Sequence, residues 1–336
     1  MKRIRKMSKR VVAVLGSAAV AVIACGHAAP IDLENVKVKA KDWVAITGEF
    51  RTPPALEKAP EKIVGGRDFI KIAALPAQDP NRALSAKVGQ VLLVQKDSVF
   101  AHCSGSLVGR ALFLTNHHCI YDDSDGRYLE PASLAVAMER LNDRSAITEG
   151  SVAVGVAHLA YDARLDFALI QLSVPLGDRY GWLELERDRT KINSVSAVKI
   201  IQHPAGRTKE IVTKNTGVVK RAAPWLHYLA DTEGGSSGSP VFALTGERVI
   251  ALHRSGVTQD GRAVYNEGVY IDEIASRIEK HICADRGGAA PGQCASGAGA
   301  IAAAKAADPS AAQPAIADED DGGWIALTGE KKRDDN

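Results

Sequence analysis

The sequence has little of several features that mark well-defined protein classes. Its formal net charge is only +2, and even that excess is local. Lys2, Arg3, Arg5, Lys6, Lys9 and Arg10 place six positive charges in the first ten residues, which leaves the rest of the chain at −4. Without a broad basic field there is no electrostatic footprint for nucleic acid. Aromatic residues are scarce at 5%, whereas 30 glycines and a 46% hydrophobic share suit short strands and tight turns around a real core. The apolar run Val11 to Ala24 is too short to span a bilayer comfortably. No motif calls for a cofactor or a metal. At 336 residues there is room for one large domain or two small ones.

What is present begins with that basic head. Followed by an apolar stretch and small residues, it forms an export signal over residues 1–25. Val22-Ile23-Ala24-Cys25-Gly26 is similar to a bacterial lipobox, in which the cysteine is acylated. Cleavage near Gly26-His27-Ala28 would instead release a soluble product. Both outcomes stay open, so the expected location is secreted or periplasmic, with a lipid anchor at Cys25 as the sole membrane attachment. Five cysteines are an odd number; setting Cys25 aside leaves Cys103, Cys119, Cys283 and Cys294. In an oxidising compartment the simplest pairing joins Cys103 to Cys119 and Cys283 to Cys294, each closing a short loop.

Composition divides the remainder. Residues 26–62 are rich in Lys, Glu, Pro and Ala and form a pro-segment or lead-in. Residues 63–283 change character: short apolar or alternating runs recur at Val88 to Val94, Ala111 to Leu114, Leu134 to Met138, Val152 to Ala157 and Phe167 to Leu172. They continue at Val198 to Ile201, Ile211 to Val219, Val249 to Leu252 and Gly268 to Ile271. Gly, Pro, Asn and Asp punctuate them, the pattern of an all-β domain. One helix follows, with Asp272 as its expected N-cap and Ile274, Ile278 and Ile282 along one face. Residues 284–336 turn to Ala, Gly and Pro and then to acidic residues, a low-complexity tail. Trp43 to Glu49 and Trp324 to Glu330 echo one another on either side of the domain.

Three segments carry chemistry. Gly234-Gly235-Ser236-Ser237-Gly238-Ser239-Pro240 is a tight turn that would present a hydroxyl, with the Gly235 and Ser237 N–H groups as oxyanion donors. Leu114-Thr115-Asn116-His117-His118-Cys119 ends an apolar strand on an imidazole. Leu165-Asp166-Phe167-Ala168-Leu169-Ile170 starts one on a carboxylate, which needs a partner when buried. Hydroxyl, imidazole and carboxylate together perform nucleophilic acyl transfer. His102, Cys103, His117 and Cys119 are the local set that could bind zinc instead. The lipase pattern Gly-x-Ser-x-Gly is not met, since Ser239 and Pro240 follow Gly238.

In order and in local sequence (CSGSL, LTNHHC, LDFALI, GSSGSPVF, VIALH) these segments resemble the chymotrypsin-like serine proteases, closest to the bacterial glutamyl endopeptidase group. The resemblance covers about residues 63–283. It implies two antiparallel six-stranded β-barrels with a C-terminal helix, a catalytic triad of His118, Asp166 and Ser237, and protein or peptide substrates cut by a monomer. Lys62-Ile63-Val64-Gly65-Gly66 looks like a trypsin-type activation site. The aspartate that would receive the freed amino group is replaced by Ser236.

The resemblance also implies a substrate pocket, and there it points two ways. His253 and Thr232 match the residues with which glutamyl endopeptidases receive an acidic side chain. Asp231, six residues before Ser237, stands where trypsin carries the aspartate that receives a basic one. The expectation is acidic cleavage, with Glu49, Glu61 and Glu330 as self-processing candidates. Basic cleavage, an esterase and an inactive binding protein on the same scaffold are the alternatives.

Overall fold

A computed structural model describes residues 63–95, 98–141, 150–260 and 262–287. The export signal, the lead-in, both Trp–Glu echoes, Cys25, Cys294 and the proposed processing sites lie outside them. Strand β1 (Phe69–Lys71) enters first, followed by helix α1 (Pro80–Ser85), capped by the Asp79 side chain on the Asn81 N–H at 2.8 Å. Then come β2 (Val88–Gln95), β3 (Ser98–Leu107) and β4 (Leu112–Thr115), a small hairpin of β5 (Tyr121–Asp122) and β6 (Arg127–Tyr128), and β7 (Leu134–Ala137), β8 (Val152–Asp162) and β9 (Phe167–Leu172).

Six of these close into a barrel in the order β2-β3-β4-β9-β8-β7. Closure leaves no unpaired edge, and Val91, Leu107, Phe113, Val136 and Ile170 fill the interior. Strand β9 falls on the expected residues because its run is apolar and buried at every position but Gln171.

Helices α2 (Leu176–Tyr180) and α3 (Arg189–Asn193) lead to the second unit. It contains β10 (Val198–Gln202), β11 (Glu210–Val212), β12 (Val218–Ala222), β13 (Trp225–Tyr228), β14 (Pro240–Ala243), β15 (Val249–Gln259), β16 (Arg262–Tyr270) and the final helix α4 (Ile271–Asp285). Their sheet runs β1-β11-β10-β14-β15-β16-β13-β12. An isolated bridge between Ala197 and Gly217 joins the start of β10 to the start of β12. Hydrogen bonds from Val198 N–H to Thr216 O at 3.0 Å and from Val218 N–H to Ser196 O at 2.8 Å flank it. Six strands therefore curl into the second barrel, and β11 and β1 extend it at one edge.

Two expectations need correction. The run Ile211 to Val219 is not one strand: the chain turns through Asn215, whose φ of 52° is left-handed, a conformation asparagine tolerates better than most residues. Asp272 is not the N-cap of α4. The helix begins one residue earlier with Tyr270 at the cap, and Asp272 in the first turn takes an ion pair from Arg189 at 2.8 Å. Ile274, Ile278 and Ile282 face the core as expected. No helix among the described residues is long and apolar enough to cross a membrane.

Candidate active site

The site is assembled where the two barrels meet. Strand β4 ends at Thr115, and the chain makes a single 3-10 turn over His117–Cys119. A disulfide between Cys103 of β3 and Cys119 ties that turn to the barrel wall, as the spacing led us to expect. Cys283, in the last turns of α4, is also disulfide-bonded; the partner expected for it, Cys294, lies outside the described residues.

Asp166 occupies the turn between β8 and β9. Asp162 Oδ1 accepts the Leu165 N–H at 2.9 Å, and Asn116 Nδ2 donates to the Asp166 carbonyl at 2.6 Å. Together they hold Asp166 at a φ of 50°, unusual for a residue with a Cβ and a form of strain that recurs at functional sites. Its carboxylate lies 2.9 Å (Oδ2) and 3.1 Å (Oδ1) from His118 Nδ1, and Oδ1 also accepts the His118 amide at 3.1 Å. An ionised carboxylate can only accept, so this contact holds the proton on Nδ1 and makes Nε2 the basic nitrogen of a neutral ring. Burial pushes the Asp166 carboxyl upward. The His118 hydrogen bond and charge, its amide and Arg254 together outweigh burial and hold the carboxyl below the usual aspartate range.

The Ser237 turn comes from the second barrel. Gly235 and Gly238 have φ of +96° and +84°, a region glycine enters without steric cost. Gly238 has a second reason to be glycine. A Cβ there would stand 2.3 Å from the Ser104 carbonyl and from Thr115 Oγ1, and 3.0 Å from Thr115 Cα. Thr115 is three residues before His118, so the turn carrying Ser237 rests directly on the loop carrying the imidazole. Ser104 fixes it there. Its N–H donates to the Ser237 carbonyl at 2.8 Å, its hydroxyl donates to the Gly235 carbonyl at 2.8 Å, and the same oxygen accepts the His203 N–H at 2.9 Å. The Gly235 N–H meets no acceptor among the described residues.

Three further residues were expected to line a substrate pocket. Thr232 and His253 are wholly buried, and Tyr228 Oη lies 2.8 Å from His253 Nδ1. Burial, then the charges of His118 and Arg254, push His253 down to about 3, so its ring is neutral at ordinary pH. Asp231 is placed differently. Its Oδ1 accepts the Val64 N–H at 2.7 Å and its Oδ2 the Asp68 N–H at 2.9 Å, so both carboxylate oxygens face the first residues of the domain.

Sequence reasoning missed Arg254. Together with His117, His118, Asp166, Tyr121 and Tyr128 it lines a cleft of about 590 Å³, of which Ser237 is not a lining residue. It also missed the aromatic cluster beside the imidazole: His117 stacks on Tyr121 with centroids 5.4 Å apart, and Tyr128 packs against Tyr161 at 4.8 Å. The signal was faint, because these rings are spread over forty residues of chain. Among the described residues Cys103, His118 and Cys119 form the one grouping of metal-ligating type. The two sulfurs are bonded to each other, which leaves no thiolate to bind zinc.

The family described as "Trypsin-like peptidase domain" matches residues 103–252. The chain is 35% identical over 178 residues to the secreted RxLR effector protein 73 of Plasmopara viticola, an alignment covering 49% of this chain and 44% of that one. It thus spans less than half the length of that relative. It is 25% identical over 241 residues to the glutamyl endopeptidase of Bacillus licheniformis, covering 68% of this chain and 74% of the relative. A solved Glu endopeptidase, crystallised with MPD, superposes with a TM-score of 0.52 at 19% identity over 66% of this chain and 99% of that one. That last likeness is one of fold. The chain thus has the fold of the chymotrypsin-like serine proteases, with a trypsin-like peptidase match over residues 103–252.

Proposed function

We propose that the protein is an exported serine endopeptidase whose triad is His118, Asp166 and Ser237. The observation that carries this reading is the 2.9 Å contact between His118 Nδ1 and Asp166 Oδ2, on a loop against which the Ser237 turn is packed. His118 Nε2 takes the Ser237 hydroxyl proton as the oxygen attacks a peptide carbonyl. The imidazolium formed keeps its Nδ1–H on Asp166, which stays ionised. The Gly235 and Ser237 N–H groups receive the oxyanion, a contribution on the order of 10²–10³ in rate per donor. His118 then returns the proton to the leaving amine, and water repeats the sequence on the acyl-enzyme. Export accords with the basic and apolar head and with disulfides that an oxidising compartment maintains.

For the residue before the cut we propose a preference for acidic side chains. Both Asp231 oxygens already accept backbone amides and the side chain is buried, so the carboxylate serves the chain's own first residues rather than standing open to a substrate ammonium. His253 and Thr232 then remain as the polar side chains of the expected pocket. If Tyr228 donates to His253 Nδ1, the opposite nitrogen carries the proton and would donate to a substrate carboxylate. The relative named a glutamyl endopeptidase supports the same reading. A panel of peptides differing only at the residue before the cut tests it. Faster hydrolysis after Glu than after Lys or Ala is expected, and faster hydrolysis after Lys or Arg would overturn it.

A further inference from the structure

Arg254 follows His253 on β15 and reaches into the cleft beside the imidazole. Its Nε lies 3.5 Å from Asp166 Oδ2, the same oxygen that lies nearest to His118 Nδ1. Its Nη1 is 2.8 Å from Glu267 of β16, and its guanidinium carbon sits 4.5 Å from the centroid of the Trp225 ring of β13. Three strands of the second barrel therefore hold one cation against a carboxylate supplied by the first. Asp166 is 6% exposed, so little water shares that carboxylate.

We propose that Arg254 is a positioning residue: clamped by Glu267 and Trp225, its guanidinium steadies the Asp166 carboxylate and offsets part of the negative charge felt by the His118 ring. Asp166 without it would present its full charge to the imidazole, favour the imidazolium and raise the pH at which the ring becomes a base. Arg254 thus extends the working range of the base toward acid. For the hydrolytic role this rests on the endopeptidase reading above, but the contact itself does not.

Other titratable groups near His118 among the described residues act differently. His253 on β15 is buried and His102 on β3 half-buried, and desolvation is the main cause that holds each neutral. His117, on the same 3-10 turn, is also lowered by burial. Asp166, then Asp123 from the β5–β6 hairpin and Asp162 at the end of β8, act on His117 in the opposite sense. Glu267 stands behind Arg254, where it also meets His227 at 3.2 Å. Arg254 is the cation that reaches the Asp166 carboxylate.

The test is an NMR titration of the His118 Cε1 proton in a Ser237→Ala background, assigned by its loss in His118→Asn. Arg254→Met is expected to raise the His118 midpoint by about one pH unit, and Arg254→Lys to stay close to the parent. Glu267→Gln, which unmasks the guanidinium, is expected to move the midpoint the opposite way. A purely structural role would not give shifts of opposite sign. An unchanged midpoint in Arg254→Met would overturn the proposal; should that variant fail to fold, an unchanged or raised midpoint in Glu267→Gln would do so. With Ser237 restored, kcat/KM of Arg254→Met is expected to fall about tenfold on the acid limb and to recover at higher pH. A wild-type protein that cuts no peptide would sink the endopeptidase reading, yet the titration would still decide the role of Arg254.

Discussion

The Ser104 N–H donates to the carbonyl of Ser237 at 2.8 Å, across the seam between the two barrels. Its hydroxyl bridges the Gly235 carbonyl and the His203 amide on the same seam. One small side chain of the first barrel thus orders the turn that presents the hydroxyl of the second. Ser104→Ala keeps the backbone bond but leaves a buried carbonyl and a buried amide without partners, at about 1–3 kcal/mol each at most. The expected result is a lower melting temperature together with a kcat/KM reduced about tenfold or more, read by thermal melts and peptide hydrolysis. A stability loss with unaltered kcat/KM would show that the seam does not order the turn.

Asp231 separates the two specificity readings. Because its oxygens hold the amides of Val64 and Asp68, Asp231→Asn should leave the ratio of hydrolysis after Glu to hydrolysis after Lys nearly unchanged. It should also speed hydrogen exchange at those two amides, since Asn replaces one acceptor with a donor. A large change in the substrate ratio would return Asp231 to the pocket.

Lys209 is wholly buried, and its Nζ donates to the carbonyls of Ser85 at 2.7 Å and Met138 at 2.8 Å. Burial pushes it down to about 7 from an ordinary 10.5. Between those values the unfolded chain binds a proton that the folded one does not, so stability rises with pH over that window. Melts across pH 7 to 9 should show wild type gaining stability relative to Lys209→Met. A constant difference between the two would count against it.

How much was legible in the sequence follows from how local each signal was. His118, Asp166 and Ser237, the proposed triad, stand near strand ends, with tight-turn or apolar neighbours that made them candidates within six residues. Phe167–Leu172 was readable because a strand buried at nearly every position is apolar at nearly every position. The split between β11 and β12 turned on one left-handed asparagine inside an apolar stretch. Asp231 illustrates the opposite limit. Its distance from Ser237 suggested a pocket floor, but its partners are amides 167 and 163 residues away, and no local pattern encodes that. Arg254 was missed for the same reason: its partners Asp166, Glu267 and Trp225 come together only when both barrels have formed.

The most direct test of the central claim is reaction of the purified, processed protein with a fluorophosphonate, followed by peptide mapping. One equivalent bound at Ser237, with labelling abolished in Ser237→Ala and slowed at least a thousandfold in His118→Ala, is the result this account predicts. Labelling elsewhere, or labelling at Ser237 at the same rate without His118, would contradict it.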